Sequence, residues 1–267
     1  MASVGEVMSL AGLSIALMMF CLWILSNFLK NASIVDIAWG MGFVSVAWVS
    51  FLVGNGNAGR GLLLASLATI WGVRLSVHLA WRNIGNGEDF RYRAMRKHHG
   101  RKFWFVSLYL VFALQGVLMW VVSLPLQLGQ VDEQPSLGFL SIVGSVVWLV
   151  GFLFESIGDL QLAKFKENHQ NEGKVMQTGL WKYTRHPNYF GDCVVWWGLA
   201  IVGSESTLGR FGFIGAAVMT LLLLKISGMV FLEKTIVRRR PDYVAYQIAT
   251  SPFIPRIPRH PKSASKL

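Results

Sequence analysis

Three pairs of polar side chains stand four residues apart in stretches that are otherwise apolar: Arg74 with His78, Glu155 with Asp159, and Asn188 with Asp192. Residues four apart share one face of an α-helix. Ionisable groups inside apolar helices are costly to keep from water and mark functional candidates. Asp36, Lys225 and Glu233 are single groups of the same kind. Read by depth, all of these residues fall toward the same end of their apolar runs, so the chemistry expected is that of one polar pocket opening at one membrane surface. Its mouth would carry Lys164, Lys166, Lys174, Lys182, Arg185 and the run Arg238-Arg239-Arg240. Such groups suit an anionic soluble partner, for example the phosphates of a nucleotide. Anionic lipid headgroups compete for the triple-arginine run. The densest stretch is 178–192, TGLWKYTRHPNYFGD. Trp39, Trp181, Tyr183 and Tyr189 either line the pocket or sit singly at the membrane interface.

The elements that position these residues are membrane helices. Charged residues make up 15% of the chain and hydrophobic residues 53%, with a mean hydropathy of +0.46. A soluble domain would carry about 25% charged residues. A spanning helix needs about 20 mostly apolar residues. Six runs qualify: 8–28, 34–53, 61–81, 103–124, 137–157 and 209–232. A seventh, 189–203, is shorter; Pro187 suits its first turn, where the missing N–H would be unpaired anyway. The expected fold is all-α, a multi-pass membrane protein with seven transmembrane helices, the N-terminus outside and the C-terminus cytosolic. That topology puts 21 of the 25 Lys and Arg on the cytosolic side and only Arg60 and Arg210 outside, the distribution expected for a positive-inside protein.

One integral membrane domain, 1–267, is expected. Within it, 158–188 forms a cytosolic cofactor-entrance loop and 233–267 a cytosolic tail. The net charge of +11 is accounted for by the basic loops, and no soluble basic domain is present to host nucleic acid. The first apolar run is preceded by Glu6 and no basic residue, which reads as a first membrane helix and not as a signal peptide. The expected location is the bacterial inner membrane. The final Ser265-Lys266-Leu267 would be a peroxisomal address only in a eukaryote. Cys21 and Cys193 read as small packed hydrophobes, and no metal-ligand spacing is present. The run GNGNAG at 54–59 matches a dinucleotide fingerprint in letters, but it joins two membrane helices and follows no strand. Asn31-Ala32-Ser33 matches a glycosylation sequon on the side expected to be cytosolic.

Several stretches together resemble a known superfamily. They are Asp36-Ile37-Ala38-Trp39-Gly40, Glu88-Asp89-Phe90-Arg91-Tyr92, Asp159, Gly179-Leu180-Trp181, Arg185-His186-Pro187-Asn188-Tyr189-Phe190-Gly191-Asp192, Lys225, Leu232-Glu233-Lys234 and Pro241-Asp242-Tyr243 with the following Tyr246 and Ser251–Pro255. The pattern, over most of 34–256, resembles the steroid 5α-reductase superfamily, nearest its bacterial members. The resemblance implies NADPH as hydride donor and reduction of a C=C bond conjugated to a carbonyl in a steroid-like or other lipid that enters from the bilayer. It places His78, Arg82, Glu155, Asp159, Lys166, Asn188 and Asp192 at positions that border the cofactor. Lys166 and Arg185 would meet phosphates, and His186 would orient the loop or donate to a phosphate. The superfamily's Gln-Glu pair and its following Tyr are not intact: Asp36 stands at about the Glu position with no Gln before it, and Leu75 at the Tyr position. Asp36 with Tyr92 is the expected substitute, a carboxyl and a phenol that can form a polarising donor pair. The signature Arg-His-Pro-x-Tyr-x-Gly is shared with membrane methyltransferases, so methyl transfer from S-adenosylmethionine to a lipid or isoprenoid is the alternative. Those enzymes usually carry paired acids in the last helix, where this chain has Glu233 alone. A non-enzymatic lipid-binding or scaffold protein is the third class.

Overall fold

The computed structural model describes residues 3–133, 137–226, 229, 233, 236, 237, 240 and 242–258. Lys234, Arg238, Arg239 and the final Ser265-Lys266-Leu267 lie outside the described residues. The regular elements among the described residues are helices, with one isolated bridge between Thr184 and Ser251. The helices are α1 (Val4–Leu29), α2 (Ile34–Val53), α3 (Ala58–Asn83), α4 (Phe90–His99), α5 (Phe103–Ser107), α6 (Leu114–Val122), α7 (Leu124–Leu128), α8 (Phe139–Glu167), α9 (Pro187–Gly203), α10 (Gly212–Leu221) and α11 (Tyr243–Ala249). A π-helical turn, Leu108–Ala113, joins α5 to α6.

Six segments are long and apolar enough to cross a membrane: α1, α2, α3, Phe90–Val122, α8 and Leu208–Lys225. The chain is therefore read as an integral membrane protein. The seventh run forms α9, a helix of only 17 residues. The outer faces of the long helices are greasy. In α1 the buried positions Val7, Ala11, Ile15 and Met19 form one stripe at four-residue spacing, while Leu13, Leu17, Phe20 and Phe28 are exposed. Exposed apolar faces of this extent suit lipid, not water.

Packing groups the chain into two compact units. One compact unit comprises 1–144 and 199–215, the other 145–198 and 216–267. In the first unit, α2 lies against α3 with backbones nearly touching: a Cβ on Gly40 would fall 2.1 Å from the Gly72 carbonyl oxygen. The GNGNAG run is the short connection between those helices. Asn57 caps α3 by accepting the Arg60 N–H. Arg60, assigned by the charge distribution to the outer side, is fully buried, and its Nε donates to the Gly129 carbonyl at 2.7 Å.

The segment Phe90–Val122 is not one rod. Tyr92 and Gln115 would lie about 34 Å apart along a straight helix, yet Gln115 Nε2 donates to Tyr92 Oη at 3.0 Å. The reversal occurs at Gly100, whose φ of +53° is the left-handed region open to glycine. So α4 folds back along α5.

In the second unit, α8 and α9 approach through glycines. A Cβ on Gly191 would lie 2.3 Å from the Glu155 backbone nitrogen, and one on Gly198 2.5 Å from that of Trp148. Pro187 is the first residue of α9, as expected. Residues 158–167 of the expected entrance loop are the last turns of α8, and the irregular part begins at Asn168.

Candidate functional site

The first unit holds a polar chain between spans. Asp36 lies in the first turn of α2, where helix dipole and carboxylate attract. Tyr92 Oη donates to Asp36 Oδ1 at 2.7 Å, and Arg91 Nη2 pairs with Asp36 Oδ2 at 2.9 Å. The Tyr92 oxygen also accepts from Gln115 Nε2 at 3.0 Å. Gln115 Oε1 in turn accepts from Trp39 Nε1 at 2.7 Å. Every bond in the series Trp39, Gln115, Tyr92, Asp36 therefore runs donor to acceptor toward the carboxylate. Tyr92 is buried, so its hydroxyl has these partners in place of water.

The segment before α4 is stitched to the start of α2. Glu88 accepts the Ala32 N–H at 2.8 Å and a two-pronged bond from the Arg96 guanidinium at 2.8 and 2.9 Å. Burial pushes the Glu88 carboxyl up, but Arg96 and the Ala32 N–H together hold it below the ordinary range. Asp89 is likewise raised by burial and held lower on balance by Arg91. Asp89 accepts from both the backbone and Nε of Arg91, each at 2.9 Å, which turns Arg91 toward Asp36. His78 and Arg82 belong to this unit, on the last turns of α3. His78 is half-buried beside the Trp81 ring, and Arg82 is exposed with its Nε on Asn83.

The second unit holds the remaining expected cofactor residues. Glu155 and Asp159 on α8 and Asp192 on α9 are buried. Asn188 Nδ2 donates to Asp159 Oδ1 at 3.0 Å, so the α8 and α9 pairs meet. The Asn188 carbonyl accepts the Tyr189 N–H at 3.1 Å, fixing its orientation at the helix start. Lys166 is exposed on the last turn of α8.

Arg185 and His186 both pair with Glu233. Both are buried. The Arg185 guanidinium forks onto Glu233 at 2.7 and 3.0 Å, while its Nη1 donates to the carbonyls of Gln247 and Thr250 at 2.7 and 2.9 Å. His186 Nε2 stands 3.0 Å from Glu233 Oε1; a carboxylate only accepts, so that nitrogen carries the proton. Gln247 Nε2 adds a further donor to Glu233 at 2.9 Å. Burial raises the Glu233 carboxyl, but His186 and Arg185 outweigh it and hold the group down to about 2. Burial and then the Glu233 charge push the nearby Tyr243 phenol up. Thr184 Oγ1 donates to Phe253, and the Arg256 N–H to Tyr183, so residues 243–256 strap the 181–186 turn in place.

Asp36 and Tyr92 thus meet as expected, and so do Asp159 and Asn188. Gln115 is the residue that sequence reasoning passed over, and the pairing of Glu233 with Arg185 and His186 is what it did not foresee. Gln115 is a lone amide in an apolar span, a visible signal that a search for ionisable groups misses. Among the described residues, no three His, Cys, Asp or Glu side chains are grouped to hold a metal ion.

An uncharacterised protein of Schizosaccharomyces pombe is 23% identical over 263 residues, covering 88% of this chain and 76% of its own. The 3-oxo-5-alpha-steroid 4-dehydrogenase 1 of Bos taurus is 33% identical over 60 residues, 22% of this chain and 23% of its own, a local similarity. No solved structure gives a significant match. The profile of a family described as a protein of unknown function, DUF1295, matches residues 22–250. A match that runs from within α1 through the Asp36–Tyr92 chain and the Arg185–Glu233 network to Thr250 makes this chain a member of the DUF1295 family.

Proposed function

We propose that the protein is a membrane-embedded, NADPH-dependent reductase of a C=C bond conjugated to a carbonyl in a lipid-soluble substrate. The observation that carries this reading is the directional chain ending in the Tyr92 phenol and the Asp36 carboxylate. A phenol held in this way can polarise a carbonyl and hand over a proton. The local similarity to the bovine steroid dehydrogenase supports the same reaction class.

NADPH supplies the hydride for such a reduction. The residues of this chain supply position and the proton. Rotation about the Tyr92 C–O bond redirects its hydroxyl from Asp36 to a substrate carbonyl, while Gln115 keeps the oxygen fixed. Arg91 holds the Asp36 carboxylate in register. The buried carboxyls of Asp159, Glu155 and Asp192, with the half-buried Asn188, fit the hydroxyls and carboxamide of such a cofactor in chemistry, since carboxylates accept from ribose hydroxyls and an amide both donates and accepts. Lys166, exposed at the end of α8, suits a phosphate. Arg185 and His186 are given a different task from phosphate binding: they fix the turn that presents Asn188. The reading takes α9 as a seventh crossing with a cytosolic C-terminus, supported by the 21 basic residues that this topology gathers on one side.

Thermal unfolding in detergent tests the reading, because a ligand that binds only the folded state raises apparent stability. NADPH is expected to raise the melting temperature and S-adenosylmethionine to leave it unchanged. The opposite result would replace reduction by methyl transfer.

A further inference from the structure

We propose that the outer face of α4 is a docking surface for anionic phospholipid headgroups. The helix is two-sided. Tyr92, Met95, Arg96 and His99 fall on one face and are buried or half-buried. Phe90, Arg93, Ala94 and Lys97 fall on the other and are exposed. Arg93 and Lys97 are four residues apart and so lie side by side. Arg101 and Lys102 follow in the turn that leads into α5, and both are exposed.

Three observations fix the chemistry of the occupant. First, the local acids serve the other basic residues of α4: Glu88 binds Arg96, and Asp89 and Asp36 bind Arg91. Among the described residues, Arg93, Lys97, Arg101 and Lys102 have no ion pair, so four cationic groups face outward together. Second, the reversal at Gly100 lays α4 back along α5, where an apolar span begins. The basic face is thereby held at the end of a span. Third, Phe90, Trp104, Phe105 and Tyr109 are exposed around it. Aromatic side chains of this kind settle at the level of the headgroups. An interfacial helix with an aromatic anchor and clustered Lys and Arg binds anionic lipid by both terms at once. A soluble acidic protein would use the charges but leave the aromatic collar unexplained.

The inner face of the same helix carries Tyr92 to Asp36. A headgroup seated outside would therefore hold the phenol in register. That consequence rests on the reductase reading; the surface itself does not.

The test is lipid retention by the full chain, read by native mass spectrometry after detergent extraction from mixed phosphatidylglycerol and phosphatidylcholine nanodiscs. Wild type is expected to keep phosphatidylglycerol over phosphatidylcholine by about tenfold. The preference should vanish in R93Q/K97Q/R101Q/K102Q and persist in R93K/R101K. Equal retention of both lipids by wild type overturns the proposal, as does a preference that survives in the neutral variant. So does competition by soluble glycerophosphoglycerol as effective as that of the intact lipid, which would make this a soluble-anion site. No step of the measurement involves turnover or NADPH, so its failure and failure of the reductase reading are separate results.

Discussion

Asp36 and Glu233 are both carboxylates fed by an arginine, a second donor and an amide-bearing side chain nearby, yet they differ in what surrounds them. Asp36 receives a phenol whose oxygen is itself held by Gln115, so a movable proton lies between fixed heavy atoms. Glu233 receives Arg185, His186 and Gln247, and Arg185 continues to two backbone carbonyls. The first arrangement keeps one hydroxyl able to turn. The second closes every donor onto a partner and ties distant segments together. Similar residue types therefore leave a rotatable hydroxyl in one unit and build a clamp in the other.

Breaking the reactive side should cost turnover and spare binding. Tyr92→Phe is expected to lower turnover by about 100-fold or more, with the NADPH-induced melting shift retained. Asp36→Asn should act in the same direction. Full turnover in both variants, measured as NADPH oxidation, would remove the pair from the chemistry. Breaking the clamp should do the reverse. Arg185→Met leaves the half-buried Glu233 without its fork and is expected to destabilise the fold by up to about 3 kcal/mol, read as a lower midpoint of thermal unfolding.

The clamp also has a pH signature. The Glu233 carboxyl is depressed from 4.5 to about 2 in the fold. A depressed acid contributes stability that is fully present above its unfolded value and is lost as pH falls through its folded value. The stability gap between wild type and Glu233→Gln should therefore be constant above about pH 5 and shrink toward pH 2. A gap that stays constant over that range would mean that the carboxylate charge is not what holds the strap. The smallest effect belongs to Gln115→Leu, which removes the hydrogen bonds to Tyr92 and from Trp39, the Tyr92 bond being worth about 1 kcal/mol. It should lower turnover roughly fivefold to tenfold and shift the pH profile of turnover, without moving the melting temperature by a comparable amount. A melting loss with an unchanged pH profile would make Gln115 a packing residue.

Much of the second site was legible in advance. The pairs Glu155/Asp159 and Asn188/Asp192 follow from the helical repeat, and Pro187 marks the helix start. Asp36 and Tyr92 were picked out on a shared side of the membrane. The task of Arg185 was not legible, because a basic residue beside a polar loop looks the same whether it awaits a phosphate or already faces Glu233, 48 residues on. Gln115 was hidden for a related reason: its partner Tyr92 lies 23 residues back on what reads as one direction of travel.

Composition and the placement of charge by themselves determined that the chain is helical and lives in a membrane, because burying an unpaired backbone in lipid leaves few alternatives to the helix. Local period determined which polar residues share a helix face. The tertiary structure alone decided which of those residues meet partners from elsewhere. That choice turns on backbone events with no periodic trace: the positive φ of Gly100 that folds α4 back, and the bare glycines that let α8 and α9 touch. A hydrogen bond needs its two atoms within about 3 Å, and only the packed fold brings residues far apart in sequence to that distance.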